Sequence, residues 1–84
     1  MGEIKADKYP EKDFNKLVEK GIYSYSGTPE TLKLINCPGI NTGTLIIDRI
    51  GTIDIQIWHE HINDIYVRSK YRSSSGYTQW KKIV

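Results

Sequence analysis

The chain has 84 residues, of which 38% are hydrophobic and 26% charged, with a formal net charge of +2. A chain of this length forms one domain with a thin core, so we expect it to depend on oligomerisation or on flanking chain. Its one cysteine, Cys37, excludes an internal disulfide and a Cys-x-x-Cys metal site. No apolar run reaches the roughly 18 residues needed to span a bilayer, and the N-terminus does not resemble a signal peptide. We therefore expect a soluble protein made in a reducing cytosol.

The positive charge is concentrated at the C-terminal end of the chain. Residues 1–21 contain as many lysines as acidic residues, whereas residues 22–65 carry a net charge of −3. Residues 66–84 contain five basic residues and no acidic one. Such an end attracts polyanions, although a solvated surface accounts for five charges equally well.

The N-terminal part of the sequence predicts a tail followed by one short helix. Residues 1–9 are polar and aperiodic, and we interpret them as a tail or linker before a single domain over residues 10–84. Pro10 suits the first position of a helix and Gly21 suits its end. The residues with helical spacing are Phe14, Leu17 and Val18. The pattern therefore predicts a helix over residues 10–20.

The chain after Gly21 has the alternation of β-strands. The predicted strands cover residues 22–26, 44–50, 53–59, 65–70 and 77–84. Two interpretations of the chain between the first two strands stay open: a capped helical turn at residues 28–31 and a strand at residues 32–35. The predicted fold is mostly β (α+β), with one short N-terminal helix followed by a small antiparallel meander of five or six strands.

No group of residues indicates an enzyme. The serines of residues 73–75 lie in a loop without a nucleophile elbow, and Cys37 precedes a proline with no basic neighbour to lower its pKa. Asp48 and Asp54 flank a predicted hairpin, where solvated side chains are the commoner finding. We expect no catalytic activity and no cofactor.

His59 and His61 are the strongest candidates for metal ligands. Residues at i and i+2 of a strand point to the same side, so one chain offers two imidazoles, too few for a closed zinc site. Three chains around a threefold axis would offer six nitrogens, enough for an octahedral metal. A solvated hairpin end explains the pair more simply, so we predict no metal site.

A basic stripe near the C-terminus is the best candidate for a ligand surface. Strand alternation places Tyr66, Arg68, Lys70 and Arg72 on one face, where an aromatic ring beside cations suits an anionic or sugar ligand. Trp58 joins this candidate set because it lies on the polar face of its strand. The alternatives are edge protection for the stripe, and subunit contact or packing for Trp58. We expect Trp80 to be a core residue.

Several ordered stretches together resemble the pyocin-type knob domain of phage and prophage tail-fibre or baseplate proteins. The match runs from about residue 11 to residue 83. It rests on Asp13-Phe14-Asn15-Lys16-Leu17, Gly21-Ile22-Tyr23, Asn36-Cys37-Pro38, Gly43-Thr44-Leu45-Ile46-Ile47, Gln56-Ile57-Trp58, Ile65-Tyr66-Val67-Arg68-Ser69 and Tyr77-Thr78-Gln79-Trp80-Lys81-Lys82-Ile83.

The resemblance implies a domain of a trimeric fibre in a virion tail, made in the bacterial cytoplasm without a signal peptide. Its implied function is host-surface attachment, with a surface glycan or an anionic wall polymer such as teichoic acid as ligand. Two alternatives come from the residues themselves. One is a single-stranded nucleic-acid-binding module, against which the acidic middle of the chain argues. The other is a pure oligomerisation element whose isoleucine-rich strands are buried between subunits.

Overall fold

The structure is a computed structural model that describes residues 4–5, 11–74 and 76–84. Within these residues six strands form one sheet, and their order across the sheet is their order in the chain. The strands are β1 (Ile4–Lys5), β2 (Gly21–Ser24), β3 (Gly43–Ile50), β4 (Ile53–Glu60), β5 (Ile65–Tyr71) and β6 (Lys81–Lys82). The helix found in these described residues is α1 (Pro29–Leu32). The prediction of a mostly β meander is confirmed.

Strand β1 lies inside the segment predicted to be a polar tail. It pairs with β2 in parallel, with Ile4 opposite Ile22 and Lys5 opposite Tyr23, while every later pairing is antiparallel. The other residues of the predicted tail lie outside the described residues. The proposed domain boundary at residue 10 therefore stays a prediction.

Residues 11–20 contain no helix, so the prediction of an N-terminal helix is wrong for this segment. Pro10, predicted as its first residue, lies outside the described residues. A turn replaces the helix, and in it the N–H of Lys16 donates to the carbonyl oxygen of Asp13 at 2.9 Å. The side-chain carboxylate of Asp13 also accepts a hydrogen bond, from the N–H of Asn15 at 2.9 Å. Local bonds of this kind compete with helix formation.

The apolar residues of this turn segment pack as core residues although they are not helical. Phe14 and Leu17 are buried, whereas Val18 is 53% exposed. Their backbone groups bond to distant partners: the N–H of Phe14 donates to the carbonyl oxygen of Ile35, and the carbonyls of Phe14 and Leu17 accept from the side chain of Gln56. These partners satisfy backbone groups that a helix would otherwise have to pair.

Helix α1 decides between the two interpretations of residues 28–35 in favour of the capped turn. The hydroxyl of Thr28 accepts from the N–H of Thr31 at 3.2 Å, as an N-cap does. Lys33 ends the helix in the left-handed conformation, with a φ of 59°. Ile35 forms an isolated parallel bridge rather than a strand. No helix in the described part of the chain is long and apolar enough to cross a membrane.

The three central strands agree with the sequence prediction to within a residue or two, and the last strand does not. Strands β3 and β4 meet at a tight link, where Gly51 takes a φ of 60° in the region that favours glycine. At the C-terminus the predicted strand over residues 77–84 shrinks to the two residues of β6. Just before β6, Trp80 donates its indole N–H to the carbonyl oxygen of Asn36 at 2.9 Å.

One face of the sheet carries the core. The buried apolar residues are Phe14, Leu17, Tyr23, Tyr25, Leu45, Ile47 and Trp58. The indole of Trp58 lies at the centre of an aromatic group, with ring centroids 5.5 Å from Phe14 and 5.8 Å from Tyr25. Trp80 packs against this cluster while partly buried, which agrees with its predicted place in the core. The loops before β3 therefore cover the Trp58 side of the sheet.

The opposite face of the sheet, here called the isoleucine face, is apolar and half-buried. Ile22, Ile46, Ile57 and Val67 are successive cross-strand neighbours on β2, β3, β4 and β5, and each is of intermediate exposure. At one end of this face Ile50 is 61% exposed. Alternation placed the isoleucines of β4 opposite Trp58, as predicted. The structure shows that the supposedly polar Trp58 side is the buried one.

Candidate functional site

The core face of the sheet also buries four polar or charged side chains, which are Asp54, Gln56, Glu60 and Arg68. Three of them alternate along β4, and the fourth is the β5 neighbour of Gln56. Burying a polar group costs free energy unless a hydrogen bond or an opposite charge compensates it. The partners of these four residues therefore show which side chains serve the fold and which remain open to a ligand.

Gln56 joins the N-terminal turn segment to the sheet. Its amide nitrogen donates to the carbonyl oxygens of Phe14 at 2.7 Å and of Leu17 at 3.2 Å. Its amide oxygen accepts from Nε of Arg68 at 2.8 Å. With both ends of the amide in use and no exposed surface, Gln56 has a structural role.

Arg68 is buried beneath two aromatic rings. Its guanidinium carbon lies 4.1 Å from the ring centroid of Tyr77 and 4.5 Å from that of Trp80. Burial lowers the pKa of Arg68, and the nearby Tyr77 and Asp13 oppose that shift. Only 7% of the residue is exposed, and its Nη2 atom has no hydrogen-bond partner in the described structure. Cation–π contacts of this kind stabilise a desolvated guanidinium, so Arg68 contributes to packing.

Asp54 forms ion pairs with the other two cations of the predicted basic stripe, Lys70 and Arg72, and with Arg49 on β3. Its carboxylate lies 2.8 Å from Nε of Arg49, 3.8 Å from Nζ of Lys70 and 3.8 Å from Nε of Arg72. Arg72 also donates to the carbonyl oxygen of Gly51 at 2.6 Å. These contacts join the β3–β4 link to the end of β5.

The structure distributes the five predicted ligand residues over different environments. Trp58 is fully buried, so packing is the observed one among the three roles left open for it. Tyr66 is half-buried, Arg68 lies under aromatic rings, and Lys70 and Arg72 contact Asp54. Alternation grouped the stripe correctly but did not reveal that its face is the inner one. Ligand binding by these residues stays a prediction.

Glu60 is a buried carboxylate that no cation pairs with in the described part of the chain. Only 2% of the residue is exposed. Its Oε2 atom accepts from the indole N–H of Trp58 at 3.1 Å and from the N–H of Asn41 at 3.2 Å. A side chain at Gly39 would overlap this carboxylate. The contacts of Glu60 with Asn41 and Gly39 join residues about twenty positions apart, which no local pattern reveals. Alternation does place Trp58 and Glu60 on one face of β4, but it does not show that this face is buried.

Beside Glu60 lies an open pocket of about 350 Å³, here called the end pocket. It lies at one end of the sheet, where the residues entering β3 meet the turn after β4. The residues that line it include Tyr25, Thr42, Thr44, His59, Glu60 and His61. The N–H of His61 donates to the carbonyl oxygen of Thr42 at 2.7 Å and so joins its two walls. Lysine and arginine are absent from this lining, among the residues that the structure describes.

The two histidines of the end pocket do not form a metal centre within the described chain. Residues 4–5, 11–74 and 76–84 hold no group of three or more His, Cys, Asp or Glu side chains placed to bind a metal ion. His59 Nε2 lies 3.4 Å from the side-chain oxygen of Asn63, and His61 follows the end of β4. A site around a threefold axis stays a hypothesis about an assembly.

Cys37 has the environment of an unreactive structural thiol. It is half-buried and packs against the core cluster. Burial raises its pKa to about 12. Because the thiolate is the nucleophile, such a pKa leaves little reactive species near neutral pH.

Taken as a fold, the chain is a small β-meander domain with its core on one face and an apolar, half-buried second face. No protein-family model and no curated protein matches the sequence. Among solved structures, an N-truncated R2-type pyocin tail fibre has the same fold, with a TM-score of 0.74 and 19% sequence identity. The match covers 99% of this chain and 32% of that chain, so the chain spans about a third of the fibre fragment. The tail-fibre-like fold implied by the sequence resemblance is thus confirmed.

Proposed function

We propose that this chain is a structural domain of a phage or phage-tail-like fibre or baseplate protein that contributes to attachment to a host surface. The observation that carries this proposal is the agreement of fold with a pyocin tail fibre over 99% of the chain. The ordered sequence resemblance across residues 11–83 supports the same placement. In this role the domain belongs to the virion tail.

The isoleucine face supports self-association, with a trimer as the form in the full fibre. The row of Ile22, Ile46, Ile57 and Val67 crosses four strands and keeps partial exposure to water. Covering apolar surface releases about 25 cal/mol per Å², and a stable interface buries roughly 800 Å² on each partner. The same observation supports the second candidate function, a pure oligomerisation element without a ligand.

Sedimentation velocity over a range of concentrations tests the self-association. We expect the unaltered chain to associate and the double variant Ile46→Thr/Ile57→Thr to sediment as a monomer with an unchanged circular dichroism spectrum. The matched control is Ile40→Thr/Ile62→Thr, because these isoleucines are 81% and 57% exposed and lie outside the sheet. A wild-type monomer at high concentration, or equal loss of association in the control, contradicts the proposal.

Host attachment requires a ligand on the cell surface, and we propose a surface glycan or a wall polymer such as teichoic acid. Weak contacts gain avidity when several copies share one rigid rod, on the order of a hundredfold or more. Retention of the associated protein on isolated cell-wall fragments checks this part. If the associated protein binds no fragment, the adhesive role is contradicted, while the structural role in the fibre still stands.

A nucleic-acid-binding role rests on the five basic residues of the C-terminal end. Lys70 and Arg72 lie against Asp54, and Arg68 lies beneath Tyr77 and Trp80. Lys81 and Lys82 are exposed in β6, where Lys82 lies 3.6 Å from Asp64, and these cations do not form the continuous positive groove that this role requires.

A further inference from the structure

We propose that the end pocket binds one neutral sugar residue. The inference deepens the proposed attachment function and rests on it, since it names the ligand class and the place where that ligand binds. At about 350 Å³ the pocket is near the lower end of the usual range for small-molecule sites, roughly 300–1,000 Å³. This size suits a single small ligand.

The pocket offers hydrogen-bonding groups that the protein itself does not use. Among the described residues, no hydrogen bond engages the hydroxyls of Thr42 and Thr44 or the imidazole of His61. A hydroxyl both donates and accepts, and so does a neutral imidazole through its two nitrogens. Such groups match the hydroxyls of a sugar, which also donate and accept.

The charge of the lining favours a neutral ligand over an anion. No lysine or arginine among the described residues lines the pocket. Glu60 is part of the lining, but its carboxylate lies on the Trp58 side of β4, where it accepts hydrogen bonds from Trp58 and Asn41. A phosphate bound here would find no lysine or arginine in the described lining to compensate its charge, whereas a neutral sugar needs no such partner.

Backbone hydrogen bonds hold the walls of the pocket in place before a ligand arrives. The turn after β4 is closed by the N–H of Glu60 donating to the carbonyl of Asp64 and the N–H of Asn63 donating to the carbonyl of Glu60, both at 2.8 Å. The opposite wall approaches closely at Gly43, where a Cβ atom would lie 2.7 Å from the carbonyl oxygen of His59. A rigid site loses less entropy when it binds a ligand.

Amide chemical-shift titration of the full chain tests the proposal. The probes are glucose, galactose, rhamnose and N-acetylglucosamine, with glycerol phosphate as the anionic comparison. We expect at least one sugar to bind with a dissociation constant on the order of 1 mM and to shift amides of residues 42–44 and 59–63. Shifts located elsewhere, no shift with any sugar, or shifts in the pocket with glycerol phosphate alone would overturn the proposal.

Three variants make this experiment specific to the pocket. Thr42→Val/Thr44→Val keeps the side-chain shape and removes two hydroxyls, so we expect affinity to fall about tenfold. His61→Ala changes an exposed residue and should weaken binding without unfolding the chain. The control Thr52→Val changes an exposed threonine in the β3–β4 link and should bind like the wild type. Unchanged affinity in both pocket variants would overturn the assignment.

The outcome of the titration is separable from that of the sedimentation experiment. A chain that binds a sugar in the end pocket but stays monomeric supports the pocket and contradicts self-association. A chain that associates but binds no sugar overturns the pocket and leaves the structural role in the fibre.

Discussion

Gly39 has no Cβ atom, and this leaves room for the buried carboxylate of Glu60 to reach its hydrogen-bond partners. Any Cβ there would overlap the carboxylate of Glu60, and it would also lie 2.8 Å from the indole nitrogen of Trp58. Glu60 needs this space because its hydrogen bonds to Trp58 and Asn41 replace the water that burial removes. Gly39 is therefore required by tertiary contact as well as by the turn chemistry visible in the sequence.

We expect Gly39→Ala to lower the free energy of unfolding by about 1–3 kcal/mol, because the displaced carboxylate loses its hydrogen bonds and the core becomes overpacked. Urea denaturation measures the change. Gly76→Ala is the matched control, since a Cβ at Gly76 meets nothing within 4 Å. Equal midpoints for the two variants would contradict the proposed role of Gly39.

Gln56 is the second residue whose partners lie far away in the chain. We expect Gln56→Leu to destabilise the fold by about 2–4 kcal/mol, because it leaves the carbonyls of Phe14 and Leu17 and Nε of Arg68 without their partner in the core. Chemical denaturation is again the measurement. Gln79→Leu, at an exposed position, should change stability little, and a loss as large as that of Gln56→Leu would refute the explanation.

At the scale of elements, the turn segment of residues 11–20 shows why local pattern failed where the strands succeeded. Its apolar spacing identified Phe14 and Leu17 as core residues, and both are buried. Their conformation, however, is set by Gln56 and by the bond between Phe14 and Ile35. A helix prediction counts local hydrogen bonds and cannot include partners 42 residues away.

Asp13 makes the stability of this element depend on pH. Its carboxylate accepts from the side-chain amide of Asn36 at 2.7 Å, and this hydrogen bond is the main cause that lowers the pKa of Asp13. A carboxyl whose pKa is lowered by folding contributes fully above its ordinary pKa of 3.8. That contribution is lost as the pH falls through the lower pKa of the folded state.

We therefore expect the unfolding free energy to fall on acidification below about pH 4, and to fall less steeply in Asp13→Asn. The asparagine keeps an acceptor oxygen for Asn15 and Asn36 but carries no charge to lose. Urea denaturation at a series of acidic pH values provides the comparison. Part of the slope remains because Asp48, whose pKa is also lowered, titrates in both proteins. Identical slopes would exclude a contribution from Asp13.

Strands were predictable where two local signals agreed. In β3, β4 and β5 the alternation of apolar residues coincides with turn residues at both ends, and their bounds follow. At residues 77–84 the alternation was present, but strand pairing is limited to the two residues of β6, and the indole of Trp80 donates to a loop residue, Asn36. The basic stripe was grouped correctly for the same reason, and its counter-charge Asp54 was missed because Asp54 lies on another strand.

At the scale of the whole molecule, one sheet with a core on one side leaves apolar residues half-exposed on its other side. Among the residues that the structure describes, the buried apolar cluster has seven members, which agrees with the expectation of a thin core for 84 residues. The isoleucine face carries further apolar surface that a single chain only half buries. Association would complete the burial that folding alone leaves unfinished.

If the isoleucine face is an interface, the melting temperature should rise with protein concentration, because association stabilises the folded chain by mass action. We expect this rise in the wild type and its loss in Ile46→Thr/Ile57→Thr. Differential scanning fluorimetry at several concentrations tests the expectation. The Ile40→Thr/Ile62→Thr control should keep the concentration dependence, and a wild-type melting temperature that does not change with concentration argues against an interface.

Local chemistry, readable from the amino-acid order, determined the meander, its tight β3–β4 link, and the separation of isoleucines from Trp58 on β4. These features depend on period-two alternation and on turn residues, which act over a few positions. Tertiary structure decided that the Trp58 face is the inner one and that residues 11–20 form a turn. It also decided that the cations of the stripe contact Asp54 and two aromatic rings, and that an end pocket forms beside Glu60. Each of these depends on which distant groups compensate a buried charge or hydrogen-bonding atom, and that compensation exists only once the strands have paired.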